Sequence, residues 1–565
     1  MPFDNGAIAA LLRETALLLE LDGSSARRIR AYAKAAQFVA AHHTALAGLS
    51  EREISGLPHI GHKMAAHIAE LARRGSFLSL EELRAKLPPT LPALAAAFDM
   101  GPRRAREIHI KLGISSLEQL YSAAGTGLLR KLPDFGADIE SAVLRGTRPF
   151  APQACPLLWW DGMALAEEMM RSIGAQQMEI AGTLRRGEET TGEISILCCD
   201  RESGSAISRF VLMPQVQNIL LRTGNRASVE LHSGHLCELR AARPEYFGAM
   251  LLNATGSDAH YAGLCERARH MGLLLDETGL YQDDTLLAAK TEHEIYARLG
   301  LQFVPPELRE GGGEIALAAS GKLPSLVEER DIRGDFHNHT VESDGHNTLE
   351  EMAVAARELG WQWVAIGDHT QSLGVARGLS ASAIMDGKER LTQLQKRMDG
   401  LTLLRAAEVE ILRDGALDFC DEDLAKIDIV AASVHSDQTL GMEEMTARIL
   451  RAVKNTHVDL LSHPTGRLIG RRKAYAFRED AVFAAAASSN TALEINGQPE
   501  RQDLSAQMAA RARAAGASIA LSTDAHSVKQ LGFMSQAVKV ARRAGLERKD
   551  ILNCLDAGEI KKRFA

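Results

Sequence analysis

Two histidines separated by one residue, His337 and His339 in DFHNHT, can present both imidazoles to one ion, because residues i and i+2 of an extended strand face the same way. Asp344 follows in ESDG. Further along, His369 ends WVAIGDH, Glu408 lies in LLRAAEVEIL, His435 ends IVAASVH, and His463 closes VDLLSH. Asp524 and His526 follow SIALS in STDAH. Imidazoles and carboxylates without a thiolate suit Zn²⁺, Mn²⁺ or Fe²⁺ rather than a structural cysteine site. Nine such residues are too many for one ion, so two or three divalent ions are expected. The chemistry that fits is phosphoester hydrolysis, in which clustered ions activate a water and clamp phosphoryl oxygens. Glu408 has two oxygens with which to bridge ions. Arg467, in HPTGR, is a candidate phosphate clamp, since a guanidinium can grip phosphate bidentately. His346 and His457 do not share the pattern and read as surface residues.

The positions of these residues imply the elements beneath them. WVAIGDH, IVAASVH, VDLLSHP, ALEING and SIALSTDAH are short apolar runs, separated by helical stretches such as EEMAVAARELG and QMAARARAAG. That alternation predicts a parallel α/β barrel or sheet from about residue 331 to the end. In such a barrel the strand ends converge on one face, where the histidines and acids would meet.

Ahead of this region, GGGEIALAASGK (311–322) reads as a linker. Residues from about 155 to 315 mix strand-like runs (MEIAGTL, EISILCC, HLCELRA) with helical ones. The first 148 residues are helical by pattern, with Ile8, Leu11, Leu12, Leu18 and Leu19 at helix-like spacing. Three segments there place a Gly-containing turn before a helix: GLPHIGHKMAAHI, DMGPRRAREI and KLPDFGADI. Their shared form is a helix–hairpin–helix repeat.

Length and composition set the frame. At 565 residues the chain should hold about three or four domains, and 45% apolar with 24% charged residues is a globular composition. Net charge is −8, which argues against a uniformly basic coat, but the balance is uneven. Residues 1–148 carry 19 Lys/Arg against 15 Asp/Glu, so a modest, salt-sensitive affinity for nucleic acid remains compatible with the acidic remainder. Seven cysteines, Cys155, Cys198, Cys199, Cys237, Cys265, Cys420 and Cys554, form no CxxC pair and read as reduced thiols of a cytoplasmic protein. The N-terminus lacks the marks of a signal peptide, and no apolar stretch is long enough to span a membrane.

The motifs carry two resemblances. HxH…SDG, DH, GluVal at 408–409, SVH, HPTGR and TDAH resemble the PHP (polymerase and histidinol phosphatase) family over about residues 331–555. That resemblance implies a distorted (β/α)7 barrel and a trinuclear metal site held by His337, His339, Asp344, His369, Glu408, His435, His463, Asp524 and His526. Gly367 stands where that family usually has Thr. In the middle region, AGTLRRGEETTGEIS is similar to the family X polymerase signature GSxRRGxxxxGDxD. CELR, ARPEYFGAMLLNATGS, GLY and KTEHEIYARLGLQFVPPELRE continue the likeness through palm and thumb. With the hairpin-bearing N-terminus, the chain resembles bacterial family X DNA polymerases that end in a PHP domain. The implied organisation is multidomain. A helical domain with helix–hairpin–helix (1–90) and a second, fingers-like one (91–150) lead into an α+β nucleotidyltransferase palm and thumb (151–315). A linker (316–330) and the PHP barrel (331–565) complete it.

The departures fall on the polymerase chemistry. The family's three Asp ligands for two Mg²⁺ ions read Glu193, Ser195 and Glu238 here. Ser195 is neutral, and each Glu shifts its carboxylate by roughly 1.5 Å, while Mg²⁺ demands near-ideal octahedral geometry. Mg²⁺ is therefore expected to bind poorly at the palm. Gly182, Thr183, Arg186 and Gly192 keep the nucleotide-contact positions, but Asn253-Ala254 replaces the aromatic pair that packs on the incoming sugar. In the hairpins, Gly61, Lys63, Gly101, Arg103, Arg104 and Arg106 remain to meet phosphates, whereas His59, Asp99 and Asp134 depart from the pattern.

The expected protein is a monomeric DNA-binding metal-dependent phosphoesterase. Its expected work is 3′–5′ exonuclease or 3′-end processing on gapped or 3′-ended DNA in repair, without sequence preference and with polymerase activity lost or strongly weakened. The alternatives are an active gap-filling repair polymerase, a small-molecule phosphatase, and a non-catalytic DNA-end scaffold.

Overall fold

The computed structural model describes residues 4–42, 44–57, 60–97, 100–132, 135–145, 156–200 and 204–564. His59, Asp99, Asp134 and Cys155 lie outside the described residues. The chain forms two compact units, Met1–Ala154 with Val211–Glu238, and Cys155–Phe210 with Leu239–Ala565.

The first unit is a bundle of short helices. Asp4, Ser25 and Ser50 cap the helices Asn5–Asp22, Ala26–Ala41 and Glu51–Ser55 by accepting amide hydrogen bonds at their N-termini. Ile8, Leu12, Leu18 and Leu19 are buried as the spacing predicts, and pack with Leu71, Leu80 and Ile108. Gly61 precedes the helix His62–Arg74 without any side-chain cap. Gly101, at φ +75°, opens the helix Gly101–Leu112. The strands Val216–Arg222 and Arg226–Leu231 of this unit pair antiparallel.

In the second unit, the strands Met178–Ile180 and Glu193–Cys199 pair antiparallel, with the short helix Gly182–Arg186 between them. Helices Phe247–Thr255, Asp258–His270 and Glu292–Arg298 follow, with an antiparallel sheet of Leu274–Asp276, Gly279–Gln282 and Thr285–Ala288. Residues 316–330, expected as a linker, are instead packed structure. Ala318, in the helix Glu314–Ala319, is buried among Leu264, Ile295 and Tyr296, and Glu314 bonds His260. Ser325 and Val327 then hydrogen-bond Glu547 and Leu546, burying Val327 in the next core. Three successive glycines suggested slack, but the apolar and acidic residues after them find partners.

The C-terminal region is a parallel barrel of seven strands in sequential order: β1 (Gly334–Asp335), β2 (Trp363–His369), β3 (Thr402–Glu410), β4 (Ile429–Ser433), β5 (Leu460–Leu461), β6 (Ala492–Asn496) and β7 (Ile519–Ser522). Beyond β1 and β7 the chain closes the ring, as the Asp524 amide donates to the His337 carbonyl and the His339 amide to the Ala525 carbonyl, each at 2.8 Å. The strands are buried along their length, as expected where helices cover a parallel sheet. Side chains alternate, so one column of each strand faces inward. Trp363, Leu404, Ile429, Ala431 and Ala520 pack at one end, plugged by Ile560 of the helix Ala557–Arg563. The same columns run on to His369, Glu408, His435 and Asp524 at the C-terminal strand ends.

Candidate metal centre

The nine histidines and acids meet at that C-terminal end. Register sets His369 directly beside Glu408 across β2 and β3. The His369 Nδ1 is 2.8 Å from Glu408 Oε2, and the His337 Nε2 is 3.3 Å from the same oxygen. Glu408 Oε1 lies 2.8 Å from His463 Nε2 and 3.2 Å from His435 Nε2, so this one carboxylate touches four imidazoles. His339 Nε2 is 3.1 Å from both His337 Nε2 and Asp524 Oδ1. Asp344 Oδ2 sits 3.4 Å from His526 Nε2 and 3.6 Å from His369 Nε2. His463 and Asp524 adopt left-handed backbone, φ +28° and +50°, which a non-glycine residue tolerates only where its surroundings hold it.

This donor set fits metal ions. Three groups converge within 4.8 Å: His339, Asp344, His369 and His526; His337, His339 and Asp524; and His369, Glu408 and His435. Donors about 2.1 Å from one ion stand about 3.0–3.4 Å apart, which is the spacing between most of these atoms. His339 Nδ1 and His463 Nδ1 are buried without a hydrogen-bond partner among the described residues, as expected of atoms that another ligand would complete. Electrostatics agree. Burial opposes the charge on Glu408, but His369, His435 and His337 hold its carboxyl well below the usual range. Burial likewise opposes protonation of His369, yet Glu408 and Asp344 raise it to about 10. Burial and the neighbouring His369 depress His339 to about 4. Carboxylates here are anions compensated by protons, which metal ions would displace.

Carboxylates that the motifs do not mark stand behind the candidate ligands. Glu494, fully buried on β6, lies 2.8 Å from His337 Nδ1 through Oε1. Its Oε2 accepts the His463 amide, and Asn496 Nδ2 at 3.1 Å. Glu410 is 2.9 Å from His435 Nδ1. Asp368 holds the loop after β1 by accepting from Thr340 and Ser343. An acid inside ALEING, and a second acid two residues after Glu408, were the available signals. Arg467, expected to clamp phosphate, is instead consumed by protein partners: both terminal nitrogens reach Glu189, at 3.2 and 2.6 Å, and Nε donates to the Arg501 carbonyl at 2.9 Å. Seven of the nine candidate ligands line a cleft of about 240 Å³ together with Arg501 and the apolar Leu373, Val375 and Ala376.

At the palm positions, Glu193 and Ser195 are half-buried on the strand Glu193–Cys199. Glu238 is buried, and its carboxylate is held by the Arg226 guanidinium. Thr183 bonds Thr191 at 2.8 Å. Arg186 is buried, donating to the Thr255 carbonyl and pairing with Glu188. Gly182 takes φ +62°, and Gly192 is exposed. Among the hairpin residues, Gly61, Lys63 and Arg103 are exposed, while Gly101, Arg104 and Arg106 are half-buried.

A seven-stranded parallel barrel with this ligand set defines a PHP-type domain, carried here behind helix–hairpin–helix and polymerase-thumb elements. The helix–hairpin–helix domain family matches residues 3–77, and the DNA polymerase beta thumb family matches residues 250–310. Over 562 residues the chain is 30% identical to a DNA polymerase/3′-5′ exonuclease PolX of Bacillus subtilis (strain 168), covering 98% of each. It is also 31% identical over 243 residues to a probable phosphatase of Thermoanaerobacter sp. (strain X514), covering 40% of this chain and 92% of that protein. A probable phosphatase of Shewanella sp. (strain MR-4) is 29% identical over 233 residues, 39% of this chain and 86% of that one. The chain belongs to the bacterial family X DNA polymerases with a C-terminal PHP domain. No helix among the described residues is long and apolar enough to cross a membrane.

Proposed function

We propose that this chain is a metal-dependent phosphoesterase of DNA, a 3′–5′ exonuclease or 3′-end-processing enzyme acting in repair through its barrel, with nucleotide addition lost or strongly weakened. The observation that carries this reading is the contrast between the two sites. Eight of the nine candidate ligands fall in three clusters in the barrel and His463 lies 2.8 Å from Glu408, while the palm has a serine at one metal position and a glutamate held by Arg226 at another. Two or three divalent ions, when bound, would supply an activated water and charge to stabilise the phosphoryl oxygens.

The chain's own part is positioning. Glu494 and Glu410 engage the Nδ1 atoms of His337 and His435, leaving the Nε2 lone pairs for metal. Glu408, among four imidazoles, is placed to bridge ions with its two oxygens. Leu373, Val375 and Ala376 form an apolar part of the cleft lining. The uncapped amides after Gly61, with exposed Lys63, suit a DNA phosphate, which carries no sequence.

Of the two activities in the name of the Bacillus subtilis relative, the exonuclease is the one these residues support. Mn²⁺-supported trimming of a primed 3′ end should vanish in Asp524→Ala and survive in Glu193→Ala. Trimming that tracked Glu193, or filling of a one-nucleotide gap by the wild type with Mg²⁺ or Mn²⁺, would overturn the reading.

A further inference from the structure

The lining of the metal cleft has two characters. Seven candidate ligands and Arg501 make most of it ionisable, and its three apolar residues, Leu373, Val375 and Ala376, all come from one loop. That loop leaves β2 at the candidate ligand His369 and returns to it, since the Leu379 amide donates to the His369 carbonyl at 2.7 Å. Its path is held along the way. Asp418 accepts the Ser372 amide at 3.0 Å and the Thr370 hydroxyl at 2.8 Å. Within the loop, the Ala376 and Gly378 amides donate to the Leu373 carbonyl at 3.1 and 3.2 Å. Gly378 packs so closely on Thr370 that a Cβ there would stand 1.9 Å from the Thr370 carbonyl oxygen. The loop is therefore braced against the strand end that carries His369.

Val375, at the tip, is 99% exposed, more than any other large apolar side chain among the described residues. A single exposed apolar side chain is ordinary on a protein surface. Val375 differs because it lines the same cleft as the candidate ligands and has Leu373 and Ala376 beside it. A phosphoryl group alone offers nothing apolar to that side of the cleft. A nucleotide offers both parts: an anionic phosphoryl group and, one sugar away, a base whose flat face is covered by apolar or aromatic side chains in proteins that hold it.

We infer that Val375 is a specificity-determining residue that packs on the face of the substrate's terminal nucleobase, so that the cleft prefers a nucleotide to a base-free phosphoester. This deepens the proposed phosphoesterase reading and rests on it for the phosphoryl group at the ions. Sequence is read from the hydrogen-bonding edges of bases, so contact with a base face suits trimming without sequence preference.

The test uses the full-length, Mn²⁺-loaded protein with two probes, thymidine 5′-monophosphate and 2-deoxyribose 5-phosphate, in titration calorimetry, with metal content measured on the same samples. The wild type should bind the nucleotide about tenfold more tightly than the sugar phosphate, and Val375→Ser should reduce that preference to about twofold. In the trimming assay, Val375→Ser should raise KM about tenfold on a 3′ end that carries a base. On a 3′ end whose last residue is abasic, the loss should be at least fivefold smaller. Because Val375 is exposed, its replacement leaves the packed core intact. A nucleotide preference in Val375→Ser equal to that of the wild type, or equal losses on the two DNA ends, would overturn the assignment while leaving the nuclease standing. A nucleotide preference that depends on Val375 in a protein that trims no DNA would uphold the assignment and refute the nuclease.

Discussion

Replacing Glu494 by Gln changes one atom and should disable the metal centre. The Glu494 carboxylate has Oε1 at His337 Nδ1 and accepts two amide donors through Oε2, from His463 and Asn496. A glutamine has only one oxygen. If that oxygen stays with the two donors, the new amide NH₂ faces His337 Nδ1 and forces the proton onto Nε2, removing the lone pair a metal needs. If it turns to His337, an NH₂ faces two N–H groups in a fully buried site, at a cost of about 1–3 kcal/mol. The substitution also removes a buried negative charge that helps hold His337 protonated before metal arrives, since His337 is raised well above its usual value, against burial, by Glu408, Glu494 and Asp524. Losses at such outer positions run to about 10–100-fold in metal affinity, or about 1.4–2.7 kcal/mol. Mn²⁺ titration by calorimetry and metal content after dialysis read this directly. Affinity within twofold of wild type would refute the argument that the tautomer of His337 is set by Glu494.

Glu408→Gln should lower bound metal by at least one equivalent and abolish trimming, measured by elemental analysis and primer digestion, because Glu408 touches four of the imidazoles. Glu307 is a buried carboxylate paired with Lys539 and Arg542, and these partners hold it at about 2 against the opposing effect of burial. A depressed carboxyl contributes stability above its unfolded value of about 4.5 and loses it as pH falls toward 2. Glu307→Gln should therefore cost about 3 kcal/mol at pH 7, and its deficit should shrink between pH 4.5 and 2 in urea unfolding. A deficit that does not vary with pH would contradict this. Gly378→Ala would place a Cβ 1.9 Å from the Thr370 carbonyl oxygen. It should displace the loop carrying Leu373 and Val375, seen as faster amide exchange there, and raise KM for DNA.

The sequence by itself pointed to the candidate metal residues of the barrel and to the face on which they meet. Strand alternation is a local property, so a histidine or acid closing an apolar run already points to the C-terminal rim, and His369, His435, His463, Asp524 and His526 were legible as candidates for that reason, His337 and His339 through their HxH spacing. It also identified the altered palm, since replacing Asp by Ser removes a charge wherever the chain folds. Other features depended on contacts between residues far apart in the chain. Glu494 and Glu410 resemble any strand residue until His337 and His435 are brought against them, 157 and 25 residues away. Residues 316–330 read as slack because nothing in their composition reveals Glu547 or Leu546 as partners. Arg467 and Arg501 are equivalent cations in sequence. Only the tertiary structure decides that Glu189, 278 residues before Arg467, consumes the donors of one and leaves those of the other facing the metal cleft. A side chain's chemistry is written in its type, but its availability depends on which partners the fold has already supplied.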